Sequence, residues 1–420
     1  MENYSSTYLI FLLVIISISQ IQSQTLDEIK AQIVNEWKSI ALELVPLDQG
    51  NQVQPTYERR LWNFISDSEF SMKIEVFNDR SGSNRLQTFE GSGIITYQGE
   101  SNVIQGAFLC QFHLNKTFIL TLHTDDLVLQ FNQIQNGGIT WTKDKPQDIT
   151  LLPVPAFNKL AGQYLIAYDL IYIRNNYLYM GDVDALGNMA SIDEPPRGLC
   201  APLIPSNDDI TPLTLDELKE EIVKGVWTSL AKEVRPGLNS EGQVTTSFQT
   251  RKFTFPDDSS FTLIVSSYPG PGQTESLMDI EIIGDLIWEE DASAVVPGAQ
   301  FAQFVVNEFY LTPKTDQMVQ NFNQNLPQDL DPFQLNQKAN LTKKDFPAFG
   351  LSKDTQIKEN DLLYQRENRL YLGARPVDGR RPFPTERRTY SLSDDLIDPE
   401  RSASFAYIIM LNILIFSIWI

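Results

Sequence analysis

Two hydrophobic rhythms recur along the chain. Leu215, Leu218, Ile222, Val223 and Val226 fall at helical spacing, with Asp216, Glu217, Glu220 and Glu221 between them. That predicts an amphipathic helix. Its carboxylates gather in the first turns, where they suit the helix dipole. Thr214 with Glu217 three residues on makes a capping-box pattern. Beyond the helix the rhythm becomes period two, which predicts strands. Phe253 and Phe255 alternate with polar neighbours, as do Phe261, Leu263 and Val265, and Phe70, Met72, Ile74 and Val76. Phe108, Cys110, Phe112 and Leu114 lead to Asn115-Lys116, which reads as a hairpin turn with Phe118, Leu120 and Leu122 returning. Asn307-Glu308 reads as the same turn, with Phe304 and Val306 before it and Tyr310 after, and Asn175-Asn176 as another.

The whole pattern occurs twice. TLDEIKAQIVNEWKSIALELVP from Thr25 returns as TLDELKEEIVKGVWTSLAKEVRP from Thr214, and YERRLWNF from Tyr57 as FQTRKFTF from Phe248. PAF at Pro155 returns at Pro347, and DLIYIRNNYLYMG from Asp169 returns as DLLYQRENRLYLG from Asp361, all at a spacing of 189 to 192 residues. A period of this length is a duplicated domain. The expected division is a first repeat over 24–200, a linker over 201–213 and a second repeat over 214–392. Many strands with one apolar face mean a sandwich or a closed barrel, and barrels of about eight strands can hold one small ligand. Gly225-Val-Trp227 after a helix is like a lipocalin entrance. There Trp37 and Trp227 would serve as structural plugs, and Arg174 or Arg366 would cap the indole by cation–π contact.

The two ends are apolar. Tyr8 to Ser19 reads as a signal-peptide core within 1–23. Residues 405–420, FAYIIMLNILIFSIWI, follow an acidic and polar stalk over 393–404. This tail fits either the discarded segment of a GPI signal or a short transmembrane anchor. Ser402-Ala403-Ser404 and Ser393 are the candidate attachment points. The expected location is the secretory pathway and the outer cell surface, with the membrane a partner through the anchor. Asn115-Lys-Thr and Asn340-Leu-Thr are glycosylation sequons that suit it.

Among 420 residues, 54 acidic against 33 basic side chains leave a net charge of −21. Phosphate binding needs clustered Lys and Arg, so a nucleic-acid partner is not expected. Only two histidines, His113 and His123, and two cysteines, Cys110 and Cys200, are present. That leaves little for a metal site or a histidine triad, and neither a cofactor nor an enzymatic role is expected. The cysteines would either pair with each other in an oxidising compartment or remain thiols, Cys110 among buried residues. The acidic runs Glu289-Glu-Asp291, Asp329-Leu-Asp331 and Asp394-Asp395 match no calcium loop.

The segment LYLGARPVDGRRPFPTERRTYSL, from Leu370 to Leu392, resembles the close of the second domain in the adenomatosis polyposis coli down-regulated proteins. VWTSLAKEVRP, TRKFTF and GAQFAQFVVNEFYLTP from Gly298 resemble that family's other motifs in the same order, as do GAFLCQFHLNKTFILTLHTDD and LYMGD in the first repeat. Ala231 stands where the family's opening motif carries a cysteine. Members are membrane-anchored glycoproteins that antagonise Wnt signalling. The resemblance implies two tandem lipocalin-like antiparallel β-barrels, each after a short helix, with an apolar cavity for the acyl chain of a secreted protein. The inward positions expected to bind are Trp62, Phe64, Met72, Ile74, Phe112, Phe118 and Leu120, then Phe253, Phe255, Leu263, Phe304, Val306 and Tyr310. A surface adhesion or receptor module, using rim loops and no lipid, is the alternative.

Overall fold

A computed structural model describes residues 24–48, 53–134, 139–154, 159–209, 211–239, 241–324, 326–379 and 391–398. Residues 1–23, the expected signal peptide, residues 380–390 and those beyond 398 lie outside these. The first repeat runs α1 (Leu26–Ile33), β1 (Glu36–Ser39), β2 (Glu43–Asp48), β3 (Val53–Phe64), β4 (Glu69–Phe77), β5 (Arg85–Glu100), β6 (Phe108–Leu122), α2 (Asp125–Gln133), β7 (Gln147–Asp148), β8 (Leu165–Arg174), β9 (Tyr177–Asp182), β10 (Gly198–Leu199) and β11 (Leu203–Pro205). The second repeats it: α3 (Leu215–Ile222), β12 (Val226–Ser229), β13 (Glu233–Leu238), β14 (Val244–Asp257), β15 (Ser260–Tyr268), β16 (Met278–Asp291), β17 (Gln300–Pro313), α4 (Asp316–Gln324), β18 (Ala339–Asn340), β19 (Lys358–Arg366), β20 (Arg369–Gly373) and β21 (Leu392–Ile397).

Both sheets are antiparallel and close on themselves. In the first, β1-β11-β9-β8-β6-β5-β4-β3 form a ring that returns to β1. In the second, β12-β21-β20-β19-β17-β16-β15-β14 return to β12. Each ring is an eight-stranded barrel, from which β2 and β13 extend as edge strands along β3 and β14. The helix ahead of each barrel begins with a full capping box, Thr25 with Glu28 and Thr214 with Glu217. Trp37 and Trp227, both fully buried, donate their indole N–H to the carbonyls of Ile33 and Ile222 at 2.9 Å. Each plug therefore satisfies a carbonyl that the end of its helix leaves open.

Three expectations change here. Asn115-Lys116 and Asn307-Glu308 are not hairpin turns; each lies inside one continuous strand, β6 or β17. Only Asn175-Asn176 turns a hairpin, with both residues at positive φ. The linker and the stalk contribute strands. Leu203–Pro205 pairs with β1 and β9, and Leu392–Ile397 with β12 and β20, so these two segments seal the barrels.

The repeats dock on each other reciprocally. Ile40 and Ala41, at the β1–β2 corner, pack on Phe301, Leu362, Tyr364 and Tyr371 of the second barrel. Leu230 and Ala231, at the equivalent corner, pack on Leu170, Tyr177 and Tyr179 of the first. Between them Arg369 pairs with Asp395 and with the Tyr179 hydroxyl, Tyr179 donates to Asp395 at 2.7 Å, and all three are buried. Among the described residues no helix is long and apolar enough to cross a membrane.

Candidate ligand-binding site

A cavity of about 510 Å³ runs into the first barrel and is open at its mouth. Alternation along each strand builds it: β3 turns Glu58, Arg60 and Trp62 inward, β4 Phe70, Met72 and Ile74, β6 Phe112, Leu114 and Phe118, and β8 Leu165, Ala167 and Asp169. Trp62 is the aromatic centre of the floor, with ring centroids 4.7 Å from Phe112 and 5.6 Å from Phe70. Of the residues expected to bind, Trp62, Met72, Ile74, Phe112 and Phe118 line this space. Phe64 and Leu120 belong to the packed core beneath it.

The other end of the cavity is polar. Arg60 pairs with Glu43, its Nε 3.0 Å from Oε1, and its Nη2 donates to the Ala201 carbonyl at 3.1 Å. Burial disfavours the guanidinium, but Glu43, Cys200 and Glu58 outweigh it, and the Arg60 pKa is raised. Asp169 accepts the backbone N–H of Leu170 and of Gly181, each at 2.7 Å, yet burial still pushes its carboxyl up to about 6. Glu58 is raised further, to about 7, by burial and by the Glu43 charge, against the pull of Arg60. Asp182 and Asp184 complete the rim on this side, and Pro236, Val377, Leu392 and Ser393 of the second repeat wall the mouth.

The second barrel carries the same frame with different contents. Ser39, Glu43, Arg60 and Asp169 recur as Ser229, Glu233, Arg251 and Asp361. Arg251 Nε lies 2.8 Å from Glu233, and Asp361 accepts N–H from Leu362 and Gly373 at 2.7 Å. Val45, however, becomes Arg235, a buried side chain that bonds Glu233 through Nε and Nη2 at 2.9 and 2.8 Å. Two arginines hold the Glu233 carboxyl below its ordinary range despite its burial. Glu58 becomes Gln249.

Phe253, Phe255, Leu263 and Phe304 are buried in this second core, as expected from their alternation, with Phe261 and Phe304 edge to face at 4.9 Å. Val306 keeps the parity of Phe304, whereas Tyr310 is not an inward residue. An extra residue in β17 at Asn307 reverses the alternation. Phe309 and Leu311 then point in, Val306 packs on the cluster they form, and Tyr310 faces outward under the Lys338 ammonium, 4.0 Å from its ring.

Arg366 does not cap Trp227. It pairs with Asp208 and lies 5.9 Å from the ring of Tyr177 in the first repeat. Arg174 is half-buried, and its carbonyl accepts Nη2 of Arg369 at 3.0 Å. Cys110 and Cys200 are free thiols, not a disulfide. Burial first, then Asp169 for Cys110 and Asp182 for Cys200, raises both well above the ordinary thiol range. Asn340 is exposed, whereas Asn115 is half-buried in mid-strand with its Oδ1 covered.

His123 Nδ1 lies 2.6 Å from Asp144 and its Nε2 lies 2.9 Å from the Thr88 hydroxyl. This has the order of a nucleophile–histidine–carboxylate chain. Thr88 is buried, though, and none of the three lines the cavity. The second repeat puts Lys314 and Asp279 at the first two places, as an ion pair at 3.0 Å. The element ties β5 to β6 in both copies by different chemistry, which marks it as structural. Among the described residues no group of three or more His, Cys, Asp or Glu side chains is arranged to hold a metal ion.

Glu43, Glu58, Arg60 and Asp169 escaped the sequence reading, which searched for apolar binding positions. Glu43, Arg60 and Asp169 carried a signal, since each recurs unchanged in the second repeat. Glu58 carried none. Compared with known proteins, the chain matches no family model and no curated protein.

Proposed function

We propose that the protein is a non-enzymatic binder of an acyl chain or similar lipid, held in the first barrel and displayed at the cell surface. The cavity supports this reading. Its volume falls in the range of about 300–1,000 Å³ usual for small-ligand sites. Aromatic and aliphatic side chains form its floor, and each CH₂ moved there from water contributes about 0.8 kcal/mol. In this reading the second repeat supplies the wall of the mouth, Arg235 included.

Secretion and anchoring rest on the character of the two ends. Attachment at Ser393 would remove most of β21, whereas Ser402-Ala403-Ser404 leaves the second barrel sealed. The exposed Asn340 is the better of the two sequons for a glycan. A lipid or an acylated secreted protein is the corresponding partner, and Wnt antagonism rests on the sequence resemblance alone.

The test is native mass spectrometry with lipid extraction on the secreted ectodomain, Gln24 to Asp398. A co-purifying lipid that is lost in Phe112→Asp is the expected result. A clean apo mass, with no uptake of added acyl chains of any head group, rejects the lipid reading. The barrels would then serve as scaffolds for protein contacts through their rim loops.

A further inference from the structure

The cavity is apolar at one end, but the charges at its other end are not those of a fatty-acid site. Such a site needs a cation left over to meet the ligand carboxylate. Three arginines line the space: Arg60 pairs with Glu43, Arg375 with Glu359, and Arg235 shares Glu233 with Arg251, next to the Asp361 carboxyl. Glu233, Asp361 and Glu359 stand behind the lining, and with their charges counted Arg235, Arg251 and Arg375 bring no net positive charge to the space. Against this, Glu58, Asp169, Asp182 and Asp184 also line it. Asp169 is satisfied by backbone N–H groups, and Asp184 by the N–H groups of Leu186 and Asn188 and the Asn188 amide. The Glu58 side chain comes from β3, opposite Glu43 on β2 and Val76 on β4. The second barrel, without the cavity-lining Val45, has Gln249 in place of Glu58. The acid at this position therefore belongs to the first repeat alone.

We infer that the first-barrel cavity selects a single-chain amphiphile with a cationic amine head, whose chain lies among Trp62, Phe112 and Phe118 and whose ammonium meets Glu58. This rests on the cavity being a lipid site and adds the chemistry of the head group. The raised pKa of Glu58 fits it: a carboxyl that is costly to ionise when the cavity is empty gains a counter-charge when an ammonium enters. The groups around it that also titrate or carry charge are Glu43, Arg60, Tyr168, Asp169, Asp182, Asp184, Cys200, Arg235 and Arg375. Of these, Asp169 titrates near Glu58 and in the same direction.

Calorimetry on the ectodomain with decylamine, decanol and decanoate separates the possibilities, since the three share one chain. At pH 8 decylamine is expected to bind about tenfold or more tighter than decanoate, with decanol between them. Glu58→Gln should weaken decylamine about fivefold or more and leave decanol within about twofold. Wild-type affinity for decylamine should also fall between pH 8 and pH 5.5, as Glu58 and Asp169 take up protons. Decanoate binding as tightly as decylamine at pH 8, or a Glu58→Gln variant that treats all three as wild type does, overturns the head-group assignment and leaves the lipid site standing. Failure of all three ligands to bind removes the site itself.

Discussion

At the scale of single residues, the unusual groups are buried acids and thiols. Glu58 has a folded-state pKa of about 7 against an ordinary 4.5. For a carboxyl shifted upward, the folded state holds the proton more firmly than the unfolded chain. Its contribution to stability is therefore complete below about pH 4.5 and is lost as pH rises through about 7. Glu58→Gln removes that loss. Because the side chain faces the cavity and not packed protein, the expected gain is about 1–2 kcal/mol at pH 8, with none at pH 4.5. Thermal melts of both proteins across this range check it, and an advantage over wild type no larger at pH 8 than at pH 4.5 contradicts it. Cys110 is 1% exposed with a thiol pushed up in pKa. Because reaction needs the thiolate, Cys110 should resist a thiol reagent in the native ectodomain and react at once in denaturant. Fast native labelling at that position would show that the core opens.

At the scale of elements, the barrels depend on two long strands that bend over their neighbours. Gly93 in β5 opposes the stretch between Leu114 and Lys116, and a Cβ there would sit 1.8 Å from the His113 carbonyl oxygen. Gly284 faces Val305 in the same way at 2.1 Å. Gly93→Ala must push two backbones apart, so a loss of about 3 kcal/mol or more is expected in denaturant unfolding, in the range of the larger core lesions. A loss under about 0.5 kcal/mol would mean that the strands slide freely.

These bends also explain what the sequence concealed. The period-two pattern revealed most strands and the inward faces of β3, β4 and β14. It did not show that β6 runs straight through Asn115-Lys116, although the parity held the answer. A two-residue hairpin pairs 114 with 117 and turns 117, 119 and 121 inward. The apolar residues are Phe118, Leu120 and Leu122, the parity of one continuous strand. In β17 a single extra residue reverses the parity, and no local signal marks it, so Tyr310 was misplaced. The short closing strands hid for another reason. Leu203–Pro205 lies in a stretch rich in Pro and Asp, and Leu392–Ile397 contains Asp394-Asp395, compositions that read as linker and stalk. A chain ending at Asp398 should melt cooperatively, whereas one ending at Ser393 should lose the second barrel first, as separate probes of Trp227 and Trp37 environments would record.

At the scale of the whole molecule, the duplication has become a division of labour. The repeats meet about an approximate two-fold relation, visible in the exchange of Ile40-Ala41 for Leu230-Ala231. Arg369 occupies the repeat position of Tyr177, and the two residues touch each other, the guanidinium 4.0 Å from the ring centroid. Two arginines there would repel, and two tyrosines would leave Asp395 buried without a cation. The asymmetric pair satisfies the contact, so each repeat now fits the other better than a copy of itself. The cavity is asymmetric as well: Glu58 lines it from the first repeat, and Arg235, held by Glu233, from the second. Arg369→Met tests how far the barrels depend on this contact. It strands Asp395, 2% exposed, and breaking a buried pair in this way costs about 3–5 kcal/mol. Each barrel has its own core, so the cost should fall on docking, and one calorimetric transition should become two. Adding Asp395→Asn removes the stranded charge and should restore much of the lost stability, as residues in one network are not additive. If Arg369→Met melts in one transition at the wild-type temperature, the apolar corners alone hold the barrels together.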